Sequence, residues 1–143
     1  MMKKKMAFAG SWYPVGKKAC QEQIDRFLAE KPLPAGRFAG GIVPHAGWYF
    51  SGAIACRVIA ALASAPPVDT IVLFGGHMHP DASPFMLVHG RVDTPLGEIA
   101  SDTDLAEQIC DACGIQKKNA AGFPDENTFE LQLPFIKYFF PKA

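Results

Sequence analysis

The sequence has the size of one folded domain and carries no net charge. Of its 143 residues, 49% are hydrophobic and 20% are charged, which is typical of a globular protein and excludes an extended disordered chain. Fourteen basic residues balance fourteen acidic ones, so no long-range field attracts nucleic acid or an anionic membrane, and partners should be recognised through local contacts.

The N-terminal segment does not resemble an export signal. Only residues 6–9 are apolar after the run of three lysines at 3–5, whereas an export signal needs roughly 7 to 15 such residues. No stretch approaches the roughly 20 apolar residues of a membrane span. We therefore expect a cytoplasmic protein with no membrane association and a solvated lysine run. Its four cysteines should be reduced, and we interpret the pair Cys110 and Cys113 as helix packing rather than a redox or zinc site.

The first half of the sequence predicts a βαβ unit. An amphipathic helix carrying Cys20, Ile24, Phe27 and Leu28 on one face comes first and ends at the prolines of residues 31–36. Residues 38–43 then form a predicted strand. Ser51 is a candidate N-cap for an almost wholly apolar helix over residues 51–63, and residues 70–74 form a second strand. Such a unit is parallel and right-handed in nearly all proteins.

The second half continues the α/β pattern. Residues 85–89 predict a third strand, residues 94–97 a turn, and residues from Asp102 onward a helix. A last helix should begin near Asn127, where Asn127 and Glu130 have the spacing of a capping box. The predicted inward positions of these two helices are Leu105, Ile109 and Ala112, then Leu131, Phe135, Ile136 and Phe139.

The predicted fold is a single α/β domain over residues 1–143, with a parallel or mixed sheet and helices on both faces. Three strands make a narrow sheet for so much apolar helix. We therefore expect that the fold is incomplete and that further chain follows Ala143.

Three histidines follow the two strands of the predicted βαβ unit. His45 comes after the first strand, and His77 and His79 come after the second. Because ligands of parallel α/β sheets bind outside the carboxyl ends of the strands, the unit should bring these imidazoles to one edge. Residues two apart face the same way in extended backbone, so His77 and His79 should point together. We predict a metal site there, suited to zinc, iron or copper.

Other sites are weakly supported. His89 is better explained as a solvent-facing strand residue than as a further ligand, and no phosphate-binding loop or serine nucleophile elbow is present. Five aromatic residues flank irregular segments, where they either pack in the core or border a ligand: Trp12, Tyr13, Trp48, Tyr49 and Phe50. At least one ring should border whatever binds beside His45.

Several motifs resemble the Memo family. They are AGSWYP at 9–14, IVPHAGWYFSG at 42–52, LFGGHMHP at 73–80, TPLG at 94–97 and DENTFELQLPFIKYFFP at 125–141. The resemblance covers nearly the whole chain and implies a fold similar to the class III extradiol ring-cleavage dioxygenases. Members run to about twice this length, so the resemblance implies that residues 1–143 correspond to the N-terminal half of a Memo-like domain.

The resemblance also implies a metal site. Two histidines from the first half of a Memo protein join groups from the second half, including a cysteine. His45 matches the first histidine, and the second corresponds to His79 or His77 in the stretch GGHMH. A family histidine is Asn127 here, and a pocket tyrosine is Phe50. We assign the remaining pocket positions to Trp12, Trp48, Tyr49, Asn127 and Glu130.

The sequence therefore supports two functions. The first is a non-heme, dioxygenase-like oxidoreductase that binds a divalent metal, Fe(II) before zinc or copper, and a small oxygenated or phenolic substrate. The second is a non-enzymatic module that binds a metal, a peptide or a partner protein, or a truncated fragment without activity. Likeness of fold does not establish the chemistry. We also expect association with further copies of the chain, because an exposed sheet edge favours it.

Overall fold

The computed structural model of the chain describes residues 2–64 and 67–142 and has a mixed α/β fold. Its strands are β1 Lys3–Lys4, β2 Phe85–His89, β3 Arg91–Thr94, β4 Gly97–Ala100 and β5 Gln116–Asn119. Its helices are α1 Lys17–Ala29, α2 Ala53–Leu62, α3 Thr103–Cys113, α4 Asn127–Glu130 and α5 Leu133–Phe139. A π-helical turn over Trp48–Gly52 leads into α2, and a 3-10 turn covers Ala120–Gly122. The predicted fold class is confirmed.

The strands form two small sheets. One has the order β1-β3-β4, with β1 parallel and β4 antiparallel to β3, and the other pairs β2 with β5 in parallel. The predicted third strand and the turn after Thr94 are confirmed: the Thr94 hydroxyl donates to the Gly97 carbonyl at 2.7 Å and accepts from the Leu96 N–H at 3.1 Å. The prediction of a solvated lysine run is wrong for Lys4, whose side chain is mostly shielded and pairs with Asp125. Lys3 is exposed as predicted, although it joins β1 and pairs with Glu98.

The main core lies between α1, α2 and α5. The predicted stripe of α1 is confirmed, because Cys20, Ile24 and Phe27 are buried and Leu28 packs against them. Aromatic rings fill the centre, where Phe135 stacks on Trp48 with ring centroids 4.1 Å apart. Burial raises the pKa of the Cys20 and Cys56 thiols to about 12, so both are unreactive packing groups at neutral pH.

The predicted βαβ pairing is not formed. Neither residues 38–43 nor residues 70–74 belong to a strand, and they flank α2 as two irregular segments. Apolar sequence makes a segment suitable for a sheet, but a ladder also needs a neighbour that supplies N–H and carbonyl groups. The Ser51 cap is also wrong: its hydroxyl donates to the Ala46 carbonyl at 3.1 Å within the π-helical turn, and α2 has no side-chain cap.

The C-terminal helices differ from the prediction in their boundaries and faces. The buried residues of α3 are Ala106 and Cys110, whereas Ala112 and Cys113 are exposed. Cys110 and Cys113 are free thiols, and only Cys110 packs inward. The last helix divides into α4 and α5 because Pro134 occupies the first turn of α5. The cap of α4 is Glu126, not Asn127, since the Glu126 carboxylate accepts from the Thr128 N–H at 3.1 Å.

Within the described part of the chain, no helix has the length and apolarity that crossing a bilayer requires.

Candidate functional site

His45 lies in the loop between the irregular segment 38–43 and the π-helical turn. Two amide side chains hold this loop against the C-terminal helices. The Gln132 amide donates to the Pro44 carbonyl at 3.0 Å, and the Asn127 amide donates to the His45 carbonyl at 3.0 Å. Because the backbone is fixed on both sides of the Cα atom, the direction of the exposed His45 ring is largely set by α4 and α5.

His77 is oriented by Glu126, the residue that caps α4. The backbone N–H of His77 donates to Glu126 Oε2 at 3.1 Å, and the ring Nδ1 lies 2.9 Å from Oε1. An ionised carboxylate only accepts hydrogen bonds, so Nδ1 carries a proton, and the neutral form of the ring has its lone pair on Nε2. This arrangement is common behind metal-ligating histidines, where the carboxylate fixes the tautomer of the ring.

The rings of His45 and His77 lie side by side. Their centroids are 4.9 Å apart and their planes are nearly perpendicular, at 88°. The Asn127 amide lies 3.5 Å from His45 Nδ1, which is too long for a strong hydrogen bond, so this ring is held mainly through its backbone. Two residues 32 positions apart in the sequence thus present imidazoles to one place, as the sequence predicts for the loops after the two segments.

The carboxyl group of Glu126 is ionised more readily than usual. Partial burial by itself would raise its pKa, but hydrogen bonds from the His77 and Thr128 backbone N–H groups and from the His77 ring outweigh burial and lower the pKa below 4.5. The charge that orients His77 is therefore present throughout the neutral range.

Glu126 should make a pH-dependent contribution to stability. A lowered folded-state pKa means that the contribution is present above pH 4.5 and is lost as the pH falls through the folded value. We expect the difference in unfolding free energy between the wild type and Glu126→Gln, measured by urea denaturation from pH 7 to pH 3, to shrink below pH 4.5. A difference that stays constant over this range would contradict a charge effect.

His79 does not face the other two histidines. Its ring pairs with Asp81, with Nδ1 3.4 Å from Oδ2, and its side chain is 76% exposed. His89 likewise pairs with Glu107 on α3, at 3.4 Å. The sequence leaves the second ligand open between His77 and His79. The geometry favours His77, and its role as a ligand remains a prediction.

The predicted pocket residues have different surroundings. Asn127 contacts His45, and the exposed Tyr49 stacks edge-on against Phe50. Trp12 lies on the surface, where it packs edge-on against Phe8 and its carbonyl accepts from the Trp48 N–H. Trp48 is buried in the core and donates its indole N–H to the Leu131 carbonyl at 2.9 Å. Trp48 is therefore part of the core that underlies the site.

Glu130 is a buried anchor for the N-terminal segment. Its carboxylate accepts from the N–H groups of Ala7 and Phe8, at 3.0 and 2.7 Å, and from the Tyr13 hydroxyl at 2.9 Å. Burial and the Glu130 charge both raise the pKa of that hydroxyl, so Tyr13 stays protonated and donates. None of the hydrogen bonds of Glu130 in the described residues involves a histidine.

Among the described residues, no group of three or more histidine, cysteine, aspartate or glutamate side chains is arranged to hold a metal ion. The available donor set is the pair of imidazoles, with Glu126 committed to His77. Glu126 and Gln132 are absent from the set predicted from sequence. Their sequence signal is weak, since their partners at the site lie 49 and 88 positions away.

A family model described as Memo-like protein matches residues 4–143. The chain belongs to the Memo family. A MEMO1 family protein of Pyrobaculum arsenaticum is 33% identical over 149 residues, covering 98% of this chain and 53% of the relative. MEMO1 family proteins of Thermococcus onnurineus and Thermococcus kodakarensis are 34% and 35% identical and cover 96% of this chain and 48% of each relative. The predicted family is confirmed, and the chain spans about half the length of these Memo relatives.

Proposed function

We propose that this Memo-family chain supplies two imidazole ligands, His45 and His77, to the divalent metal site of a dioxygenase-like oxidoreductase. The observation that carries the proposal is the Glu126 carboxylate behind His77, which holds Nδ1 of a ring whose centroid lies 4.9 Å from that of His45. Fe(II) is the metal that we favour, and zinc or copper would accept the same donors.

The separation of the two rings supports the proposal of a shared ion. Metal–nitrogen distances of about 2.0–2.1 Å would hold the centres of two ligating rings roughly 4.5–5.2 Å apart at ordinary coordination angles, and the observed separation is 4.9 Å. Two imidazoles leave the other coordination positions open to water, substrate or donors outside the described residues. In this proposal the two imidazoles supply only part of the metal's coordination.

The surrounding residues position these ligands. A bound metal would supply Lewis acidity and would orient an oxygenated or phenolic substrate together with O₂. Glu126 holds the proton on His77 Nδ1, which keeps Nε2 available as a donor. Asn127 and Gln132 hold the backbone of the His45 loop. Each of these residues orients a ligand. Separately, we propose a cytoplasmic location for the protein.

A second candidate function is a non-enzymatic module that binds a metal together with a small molecule or a peptide. It is favoured by the openness of the site, since His45 and His77 are both exposed. An exposed pair exchanges ligands readily but does not exclude water from a reaction. Metal binding without turnover would favour this module over the oxidoreductase.

Metal titration with matched histidine variants tests the proposal. Under anaerobic conditions we expect one Fe(II) or Zn²⁺ per chain by calorimetry, and at least tenfold weaker binding for His45→Ala and for His77→Ala. The control is His79→Ala, which removes an imidazole engaged with Asp81 and should change the affinity less than twofold. Glu126→Gln should weaken binding by about tenfold, because the carboxylate no longer fixes the tautomer.

The same variants separate the two functions. O₂ uptake on addition of a catechol to the Fe(II)-loaded wild type, lost in His45→Ala, would support the oxidoreductase. Unchanged metal affinity in both His45→Ala and His77→Ala would contradict the metal site itself.

A further inference from the structure

The segment that carries His77 crosses the start of α4 at close range. Two residues of this segment face two residues at the start of the helix: His77 lies against Glu126, and Gly75 lies against Thr128. The backbone N–H and the ring Nδ1 of His77 both contact the Glu126 carboxylate, at 3.1 and 2.9 Å. The distance between the segment and α4 at Gly75 therefore decides whether the His77 ring reaches its carboxylate.

Gly75 has no room for a side chain on the side of α4. A Cβ atom placed on its backbone would lie 2.9 Å from Oγ1 of Thr128, 3.2 Å from Cβ of Thr128 and 3.4 Å from the Phe129 ring. Real Cβ atoms essentially never approach a neighbour within 3.0 Å, so a larger residue would push the segment away from the helix. Rotation of the Thr128 side chain does not relieve the contact, because its own Cβ atom stays in place.

The backbone conformation of Gly75 does not itself require glycine. Its φ is not positive, whereas the next residue, Gly76, has a φ of 117°. Side chains rarely tolerate the conformation of Gly76, so that glycine supplies the bend of the chain just before His77. What Gly75 requires is space beside α4. Replacing Gly75 by alanine therefore changes the separation of the segment from the helix without straining the backbone dihedral angles.

The helix is held more firmly than the segment. The Thr128 N–H donates to Glu126 Oε1 at 3.1 Å, and the buried Glu130 of the same helix binds the N-terminal segment. Gly75 and His77 are both exposed, so the segment is the side that would move. Such a movement would lengthen both hydrogen bonds from His77 to Glu126, and hydrogen bonds weaken steeply as their geometry departs from the ideal.

We propose that Gly75 is a positioning residue for the metal site: its missing side chain lets the segment approach Thr128 closely enough for His77 to reach Glu126. The inference rests on the proposed function, in which the His77 ring binds the metal. Gly75 acts through His77 and does not itself contact the ion. Glu126 then holds the proton on Nδ1 and directs the other ring nitrogen to the metal.

Gly75→Ala should separate His77 from Glu126 in the metal-free protein. Nitrogen-15 NMR of the imidazole rings at alkaline pH, with the His77 signals assigned from His77→Ala, reports which nitrogen of the neutral ring carries the proton. We expect the proton on Nδ1 in the wild type. In Gly75→Ala we expect it mainly on Nε2, the form that a solvated imidazole prefers. This measurement needs no metal, so it tests the position of the ring separately from metal binding.

The same substitution should weaken metal binding by the full chain. We expect the affinity for Zn²⁺, measured by calorimetry, to fall about tenfold in Gly75→Ala, as it does when a ligating histidine loses its outer carboxylate partner. Gly40→Ala is the matched control, because a Cβ atom at Gly40 would meet nothing within 4 Å, and its effect should stay within twofold. Both variants should keep the tryptophan fluorescence of the folded chain.

Substitutions at Thr128 show whether its contact with Gly75 is the cause. Thr128→Ala removes Oγ1, the atom nearest to the added methyl group, and keeps the backbone N–H that donates to Glu126. Measured against Thr128→Ala itself, Gly75→Ala should then weaken binding less than about threefold. Thr128→Val puts a methyl group of similar size in place of the hydroxyl, so in that background Gly75→Ala should still weaken binding about tenfold.

The positioning role of Gly75 is overturned by any of three results. One is a Gly75→Ala variant whose neutral His77 keeps its proton on Nδ1, whatever its metal affinity. Another is an equal cost of Gly75→Ala in the Thr128→Ala and Thr128→Val backgrounds, and the third is an equal effect of Gly40→Ala. A wild type that binds no metal contradicts the proposed function instead, and the proton position in Gly75→Ala then decides the role of Gly75.

Discussion

Replacing Glu130 by leucine is expected to destabilise the chain by about 3–5 kcal/mol. The substitution leaves the N–H groups of Ala7 and Phe8 and the Tyr13 hydroxyl without their acceptor, and each buried orphan donor costs about 1–3 kcal/mol. Only 5% of Glu130 is exposed, so water replaces the lost acceptor poorly. Urea denaturation at pH 7 measures the change.

The control for this prediction is Glu22→Leu. Glu22 is an exposed residue of α1 whose nearest cation, Lys18, lies 3.9 Å away, and such pairs contribute little. Its effect should stay within about 0.5 kcal/mol. If Glu130→Leu costs less than 1 kcal/mol, the carboxylate is not a structural anchor, and its predicted place in the ligand pocket gains support.

Replacing Phe135 by alanine should also destabilise the chain by about 3–5 kcal/mol. The ring is wholly buried, stacks on Trp48 at 4.1 Å and packs against Phe27 at 6.3 Å between centroids. Its removal loses the transfer free energy and leaves a cavity that the surrounding helices fill only in part. Because Trp48 loses its main stacking partner, the indole hydrogen bond to Leu131 should also loosen.

Phe50→Ala is the matched control, since the same side chain is removed from a position that is 79% exposed. We expect a change within about 0.5 kcal/mol there. Thermal and urea unfolding followed by tryptophan fluorescence measure both variants. Equal effects of the two substitutions would contradict a core centred on the Trp48 and Phe135 stack.

Elements whose backbone hydrogen bonds are made within the element were predictable from the sequence. Helix α1 follows from the spacing of its apolar residues, and the turn after Thr94 follows from its proline and glycine, because both depend on local geometry. The prediction of a strand at residues 70–74 is wrong, since the structure has no strand there. Apolar residues specify that the segment is suited to a sheet, whereas pairing depends on a neighbour elsewhere in the chain.

The site was predictable in outline but not in detail. The positions of His45 and His77 after the two segments that flank α2 bring them together as predicted. The expectation that His77 and His79 point the same way requires extended backbone over residues 77–79, and there each ring turns instead to its own carboxylate, Glu126 or Asp81. Glu126 escaped prediction because the spacing of Asn127 and Glu130 indicated a capping box one residue later, whereas Glu126 itself caps the helix.

The hydrogen bonds from Ala7 and Phe8 to Glu130 join positions 123 and 122 apart. During translation, the amide groups of the N-terminal segment have no acceptor until almost all of these residues have left the ribosome. Contacts of such long sequence separation slow folding. Until they form, the partly folded chain exposes apolar helix faces. The N-terminal segment can therefore reach its folded position only after Glu130 has emerged.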